Sequence, residues 1–185
     1  MVQGGHMNAE ILGILGTLLG TILGWFLGII SQKGKLYFYT KFEDEFTHAD
    51  KIGGFTCSSS RDQAEYYSYD LVLDLYNASG EPKIMRKIEL AFYAGGKRII
   101  RLTPEDASTK RHTGGITRYD KIQPVTIPAK SILRLNLRGG LNNKSYEFSK
   151  IWETSKIVLC FCGKRNIEKH IVVSKKDYKN YWQQR

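Results

Sequence analysis

The chain has 185 residues, 42% of them hydrophobic, which excludes a disordered acidic tail and a polytopic transporter and fits one domain. The first thirty residues carry only Glu10, whereas the remainder holds 28 basic against 17 acidic residues, a net charge of +11. Three cysteines, Cys57, Cys160 and Cys162, are too few and too poorly spaced for a disulfide framework or a four-ligand zinc site.

An apolar segment over residues 11–30 is the first predicted element. It has twenty uncharged residues, and a helix of that length covers about 30 Å, the hydrocarbon thickness of a bilayer. Trp25 and Phe26 near its distal end fit a partial aromatic belt. We therefore predict one transmembrane helix over residues 11–30, preceded by a short flank, residues 1–10.

The flanks of this segment predict its orientation. A cleavable signal peptide is the alternative, but no Lys or Arg precedes Lys33, and residues 29–32 make a poor cleavage site. Cytoplasmic flanks carry an excess of Lys and Arg. Because Glu10 lies before the segment and Lys33 and Lys35 follow it, we predict an external N-terminus and a cytoplasmic domain facing the anionic leaflet of the inner cell membrane.

Small residues are regularly spaced along the segment. Glycines recur at every fourth position and threonines border them: Gly16, Gly20, Gly24, Gly28, Thr17 and Thr21. Such a face lets a second helix approach to backbone contact, and the threonine hydroxyls can hydrogen-bond across the contact. Glycine is also common in membrane helices generally, so chance spacing is the alternative. We predict helix self-association into a homo-oligomer of undetermined copy number.

Residues 36–174, after a polar linker at 31–35, predict a mainly β domain. About eight short strands alternate with turns, and no convincing helix lies between them. The predicted strands are 35–42, 66–76, 84–93, 98–102, 125–127, 132–137, 157–162 and 167–173. An antiparallel β-sandwich fits this pattern best, with a small closed barrel second.

Several local features of the domain are also predicted. Residues 103–121 have no apolar periodicity and indicate a long polar loop. Residues 157–162 are apolar on both faces, which is typical of a central strand. Alternation predicts buried side chains in the second and third strands: Tyr67, Tyr69, Leu71, Leu73, Leu75, Ile84, Ile88, Leu90 and Phe92. Three glycine pairs are interpreted as turns: Gly95-Gly96, Gly114-Gly115 and Gly139-Gly140.

Two turn motifs carry a family resemblance. Residues 73–82 read Leu-Asp-Leu-Tyr-Asn-Ala-Ser-Gly-Glu-Pro and are followed by Ile88-Glu89-Leu90, and residues 127–131 read Ile-Pro-Ala-Lys-Ser before Leu133. A strand ending in an Asn-x-Ser/Gly turn, with an extended-Pro-small corner before a later strand, resembles the immunoglobulin-like domains of uncharacterised bacterial proteins. The resemblance covers residues 66–173, and many such domains follow one N-terminal membrane helix. It implies the fold and assigns no catalytic residues.

No catalytic, metal or cofactor site is predicted. The four histidines are scattered, and no phosphate-binding loop, nucleophile elbow or dinucleotide fingerprint is present. Cys160 and Cys162 form either a soft-metal or redox pair or, as we favour, inert core residues. The acidic run Glu43-Asp44-Glu45 is interpreted as a solvated strand end in preference to a cation site.

A basic and aromatic tail, residues 175–185, follows the last strand. Its helix-start signature predicts one face carrying Tyr178, Tyr181, Trp182 and Arg185. This face can dock on the sandwich, lie at the membrane interface together with Lys33 and Lys35, or stack nucleic-acid bases. We favour docking. Apposition to an anionic membrane explains the basic charge, so a nucleic-acid partner is not expected.

These observations predict a non-enzymatic function. We expect a single-pass membrane protein whose cytosolic β-sandwich binds a protein or small ligand, with the helix as anchor and assembly element. The alternative is a membrane-disrupting effector of a bacterial defence or toxin system, in which the β domain senses a signal and the helices oligomerise into a lesion.

Overall fold

The structure, a computed structural model, describes residues 5–178 and residue 181, with only the backbone described at 5–10, 31 and 32. Helix α1 spans Gly5–Gln32, longer than the predicted 11–30, and a short helix α2, Tyr146–Lys150, continues into a 3₁₀ turn, Ile151–Glu153. The strands are β1 Leu36–Ala49, β2 Phe55–Cys57, β3 Tyr66–Asn77, β4 Lys83–Ala94, β5 Lys97–Leu102, β6 Glu105–Thr113, β7 Ile116–Lys121, β8 Val125–Ile127, β9 Ile132–Asn142, β10 Lys156–Cys162 and β11 Glu168–Lys175.

These strands form two antiparallel sheets. Sheet 1 has the order β2-β1-β3-β9-β6-β7, and sheet 2 has the order β11-β10-β4-β5, with β8 paired to the start of β4. Their facing sides share one hydrophobic core. The predicted sandwich is therefore confirmed, and the closed barrel is not formed by the described strands.

Alternation along β3 accounts for much of the core. Tyr67, Tyr69, Leu71, Leu73 and Leu75 are each at most 1% exposed, as predicted. Each large apolar side chain removed from water contributes about 1.5–3 kcal/mol before entropy is counted. Strand β10 is also confirmed as a central strand, because it lies between β11 and β4 and its residues from 157 to 162 are buried on both faces.

Strand β4 departs from the predicted alternation at its start. Lys87 has a φ of 51°, and the register with β10 shifts there, which together define a bulge. The extra residue moves Met85, at 0% exposure, into the core and leaves Ile84 38% exposed. The prediction that Ile84 points inward is therefore wrong, whereas Ile88, Leu90 and Phe92 are buried as predicted.

Other predictions in the domain need correction. Residues 103–121 are the hairpin β6–β7, not a loop, and only the Gly114-Gly115 turn within it was foreseen. Gly139-Gly140 lie inside β9, not in a turn, and pair with β3. Glycine is needed at position 139, because a Cβ there would overlap the Tyr69 ring. Among its described residues the domain has eleven strands, where about eight were predicted. It also has helix α2, whose five residues are too few to show a periodic pattern.

The far end of the sandwich, away from α1, is filled by aromatic rings around Phe46. Trp152 stacks on Phe46 at 4.3 Å between ring centroids, and Tyr67, Tyr178 and Tyr181 contact the same ring at 5.1–5.4 Å. Two of these rings belong to the C-terminal segment. We call these five side chains the aromatic cluster.

A buried ion pair attaches the C-terminal segment beside the aromatic cluster. Asp44, whose side chain is 4% exposed, lies 2.6 Å from the Lys176 ammonium and accepts hydrogen bonds from Tyr67 and Tyr178. The interpretation of residues 43–45 as a solvated strand end is therefore wrong for Asp44, which lies in the middle of β1.

Candidate functional site

The predicted linker between helix and domain is fixed to the sandwich. Only residues 33–35 separate α1 from β1. The Lys35 carbonyl accepts a hydrogen bond from the Ala78 N–H at 3.0 Å. A Cβ added at Gly34 would overlap the Ala78 carbonyl, so the linker backbone contacts the β3–β4 turn directly.

Asn77 organises the turn that holds the linker. Its side-chain N–H groups donate to the carbonyls of Glu81, Ile127 and Pro128 at 2.8–3.1 Å, and its side-chain oxygen accepts from Ser79. Asn77 and Ser79 are both 0% exposed. The Asn-x-Ser turn and the Ile-Pro corner noted in the sequence are therefore one hydrogen-bonded structure, which we call the Asn77 knot.

An open cleft of about 960 Å³ lies between the two sheets beside the Asn77 knot. Its walls come from the start of β1, the start of β4 and the β10–β11 turn. The rings of Phe38 and Phe161 pack against each other across the two sheets, with 5.6 Å between ring centroids, and form the apolar floor of the cleft. The cleft therefore opens at the end of the sandwich where the chain leaves α1.

The side chains around the cleft are strongly basic. Glu81 is the one acidic residue among six basic residues that line it: Lys35, Lys83, Arg86, Lys164, Arg165 and Lys169. Arg86 donates to the Gly163 carbonyl at 3.0 Å, while its buried Nε has no hydrogen-bond partner among the described residues. The bulge at Lys87 re-aims Arg86 towards the cleft.

This arrangement suits an anionic ligand. A guanidinium held by backbone carbonyls and several lysine ammonium groups can surround a phosphate, whereas an isolated charge in an apolar cavity would be costly. The apolar floor, with Leu36 and Ile167, provides contact for a non-polar part of the same ligand. The cleft is the candidate functional site of the domain.

Comparison with known proteins places the domain in a family. Residues 34–176 match the family described as YopI Ig-like domain. The chain belongs to the YopI Ig-like domain family. A curated relative, the SPbeta prophage-derived uncharacterized protein YopI of Bacillus subtilis (strain 168), is 30% identical over 143 residues, covering 76% of this chain and 81% of that protein.

The family match includes the whole cleft, because it begins at Gly34 in the linker and ends at Lys176. The solved structure of a protein from Archaeoglobus fulgidus is also similar, with 12% identity and a TM-score of 0.36 over 77% of this chain and 98% of that chain. Because the matched family is an Ig-like domain family, the immunoglobulin-like resemblance predicted from the turn motifs is confirmed.

Helix α1 contains one candidate membrane span, Ile11–Ile30, with a mean hydropathy of 2.0 and no buried residue. Its length and composition suffice to cross a bilayer, and a signal sequence satisfies the same two criteria. Apart from the adjacent residues and the local helix backbone, a Cβ added at Gly16, Gly20 or Gly24 would meet no atom within 4 Å. Gly28 continues the glycine face.

The threonines beside the glycine face bond within their own helix. Thr17 donates its hydroxyl hydrogen to the Gly13 carbonyl at 2.8 Å, and Thr21 donates to the Thr17 carbonyl at 2.9 Å. Their hydroxyl oxygens still have acceptor capacity. In this structure their hydroxyl hydrogens are used inside α1, so donation to a second helix would require a rotamer change, whereas acceptance would not.

The tail residues divide between docked and undescribed positions. Tyr178 is 2% exposed and Tyr181 packs against the core, so both dock on the sandwich, as favoured from the sequence. The membrane-interface or binding role considered for this group of residues stays a prediction. Trp182 and Arg185 lie outside the described residues. Of the two linker lysines, Lys35 lines the cleft and Lys33 is exposed at the helix end.

Sequence reasoning missed the cleft itself. Lys83 and Arg86 lie at the start of β4, Lys164 and Arg165 lie in the β10–β11 turn, and each is unremarkable alone. No periodic signal relates them, because strand pairing between β4 and β10 brings them together. The available signal was the net charge of +11 outside the first thirty residues, which, on sequence alone, we interpret as apposition to an anionic membrane.

Proposed function

We propose that this protein is a single-pass membrane protein whose Ig-like domain binds a phosphate-bearing anionic ligand in the juxtamembrane cleft. The observation that carries the proposal is the group of six basic side chains at the point where the chain leaves the apolar helix. The function is binding without turnover, since the cleft holds cations and apolar contacts but no nucleophile paired with a base among its lining residues.

The short linker supports a location of the cleft close to the lipid headgroups. Three residues span at most about 11 Å when extended, and they separate α1 from β1. A headgroup layer is roughly 5–8 Å thick on each side of the hydrocarbon. With α1 across the bilayer, phospholipid phosphates and soluble phosphate compounds at the membrane surface can both reach the cleft.

Charge reversal in the cleft tests this function. We expect the full-length protein in zwitterionic nanodiscs to bind short-chain phosphatidic acid, and Lys164→Glu with Arg165→Glu to weaken binding at least about tenfold, the effect of roughly 1.4 kcal/mol. Lys110→Glu with Lys121→Glu, on the β6–β7 hairpin, is the matched control with the same change in net charge. Equal affinities of the two variants would contradict the proposal.

A second probe separates the two sources of phosphate. Inorganic pyrophosphate lacks acyl chains and cannot use the apolar floor. If it competes with short-chain phosphatidic acid at similar concentration, the cleft recognises phosphate alone, and a soluble ligand is favoured. If pyrophosphate binds much more weakly, contact with Phe38 and Phe161 contributes, and a lipid ligand is favoured.

Self-association through the glycine face is a further part of the proposal. The support is the fourfold glycine spacing at Gly16, Gly20, Gly24 and Gly28. Gly20→Leu should lower the detergent-solubilised mass to that of one chain per micelle. Leu18→Phe adds bulk on another side of the helix and should leave the mass unchanged. An identical mass for wild type and Gly20→Leu would contradict self-association through the glycine face.

The proposed orientation places the domain in the cytoplasm, because basic residues follow the span and none precedes it. Protease added to inverted vesicles should degrade the domain, and protease added to right-side-out vesicles should leave it intact. The reverse pattern would contradict this orientation.

A membrane-disrupting effector is the second candidate function. It is favoured by the repeated glycine face and by the prophage origin of a 30% identical relative. Induced expression should then collapse the membrane potential, and Gly20→Leu with Gly24→Leu should prevent the collapse. If the membrane potential stays stable under induction and on ligand addition, the membrane-disrupting function is excluded and the anchor function remains.

A further inference from the structure

The outer face of sheet 2 brings together three side chains that commonly bind metals. Cys160 on β10 is the direct cross-strand partner of His170 on β11, and Glu168 lies two residues before His170 on the same face. One possible ligand atom from each residue lies within 4.8 Å of the other two. The Glu168 carboxylate is 3.5 Å from His170 Nε2.

This cluster lies outside the main core and the cleft. Cys160 is 0% exposed and packs with Ala91 and Val158 in a separate small apolar cluster. The side chains of Glu168 and His170 are 37% and 53% exposed. The sulfur atom is therefore held in place, while the carboxylate and the imidazole can move and remain accessible from solvent.

A charged neighbour, Arg101, lies beside the cluster and forms an ion pair with one of its members. Arg101 forms an ion pair with Glu89 and approaches the Glu168 carboxylate at 3.5 Å. Burial raises the pKa of the Cys160 thiol, the Glu168 carboxylate raises it further, and Arg101 lowers it.

The donor set determines which ion fits. A thiolate and an imidazole favour zinc over magnesium or calcium, which prefer oxygen ligands. Zinc with bonds of about 2.0–2.3 Å requires tetrahedral ligand atoms roughly 3.3–3.8 Å apart. Small rotamer changes of Glu168 and His170 close the remaining distance of about 1 Å, and a water molecule supplies the fourth ligand.

We propose that Cys160, Glu168 and His170 form a zinc-binding site on the outer face of sheet 2. Binding replaces the thiol proton, which leaves to solvent, and gives one thiolate, one carboxylate and one neutral imidazole around the ion. Arg101, paired with Glu89, orients the Glu168 carboxylate from outside the ligand set. The site is independent of the anionic ligand proposed for the cleft.

Cobalt(II) added to the full-length protein in detergent is the direct test, because a thiolate ligand gives a charge-transfer band and tetrahedral geometry gives intense visible bands. We expect one cobalt per chain, displaced by zinc. Cys160→Ser should abolish the charge-transfer band, and His170→Gln should weaken binding more than the roughly 10- to 100-fold that loss of an outer partner costs.

Matched variants make the test decisive. Cys57→Ser, Cys162→Ser and His112→Gln change the same residue types elsewhere and should leave the spectrum intact. His170 is exposed, so His170→Gln should fold even if Cys160→Ser does not. Absence of a thiolate band in the wild type, or its persistence in both Cys160→Ser and His170→Gln, would overturn the zinc site.

Discussion

The two ends of the sandwich are stabilised in different ways. At the near end, beside α1, the Asn77 knot uses one buried amide to join three carbonyls and leaves an open cleft next to it. At the far end the aromatic cluster fills the space between the sheets, and Asp44 pairs with Lys176. Strand β1 connects both ends, with Phe38 at the cleft and Phe46 in the aromatic cluster.

Under the proposed function, this difference separates ligand binding at the near end from stabilisation of the fold at the far end. A phosphate ligand needs accessible cations, so the near end cannot be filled with apolar side chains, and directional hydrogen bonds fix its backbone instead. The far end carries the C-terminal segment and gains stability from apolar burial. Damage at the far end should therefore lower stability alone, whereas damage at the near end should lower stability and ligand binding together.

The largest expected effect is at the far end. Asp44→Ala leaves the Lys176 cation without its partner and should lower the free energy of unfolding by about 3–5 kcal/mol. The neighbouring Glu43 pairs with Lys41 on the exposed face, so Glu43→Gln should cause no measurable change. Urea unfolding in detergent, followed by circular dichroism, measures both. A small effect of Asp44→Ala would show that the aromatic cluster suffices.

The next largest effect is at the near end. Asn77→Ala leaves buried carbonyls of Ile127 and Pro128 without donors, and we expect a loss of about 3 kcal/mol in the free energy of unfolding. In contrast to Asp44→Ala, it should also weaken binding of short-chain phosphatidic acid at temperatures where the domain is still folded. Unchanged affinity in folded Asn77→Ala protein would break the proposed division between the two ends.

A smaller effect is expected for the linker. Gly34→Ala places a methyl group on the Ala78 carbonyl and should cost about 1–3 kcal/mol as the linker moves away. Trypsin cleavage at Lys33 and Lys35 should become faster. Gly163→Ala also adds a methyl group beside the cleft, where its nearest contact would be at 3.9 Å, and should leave the cleavage rate unchanged.

The smallest effect is a pH dependence at the far end. Burial raises the pKa of both Tyr67 and Tyr178, and the Asp44 carboxylate raises them further. Because the fold favours the protonated phenols, this contribution is fully present below pH 10, the ordinary tyrosine value, and is lost as the pH rises above it. Tyr178→Phe should show a shallower alkaline decline in unfolding free energy than wild type.

The sequence predicted the parts of the fold where periodicity and burial coincide. Strand β3 alternates without interruption, and β10 is apolar on both faces, so both were predicted correctly. The hairpin β6–β7 was missed because its strands lie at the edge of sheet 1 and are largely exposed, which leaves no apolar period. The bulge at Lys87 could not be predicted, because lysine normally avoids positive φ and the sequence therefore gives no sign of it.

The candidate sites were less predictable than the fold. The Asn77 knot was recognised as two separate turn motifs, although the contact between them was not. The cleft and the Cys160–His170 pair depend on strand register, which places residues from distant segments side by side. Strand register cannot be deduced from the spacing of residues along the chain. The search for metal-ligand spacing therefore covered only residues that are close in sequence.

The fixed linker has a mechanical consequence. Gly34 packs on the β3–β4 turn and Lys35 is hydrogen-bonded to it. Helix α1, the rod that precedes the linker, is therefore closely coupled to the sandwich. A twist or piston movement of the rod would therefore be transmitted to the edges of the cleft and would not be absorbed by a flexible tether. Pairing of two rods would likewise dictate which flanks of the two sandwiches meet, so assembly state and cleft geometry would change together.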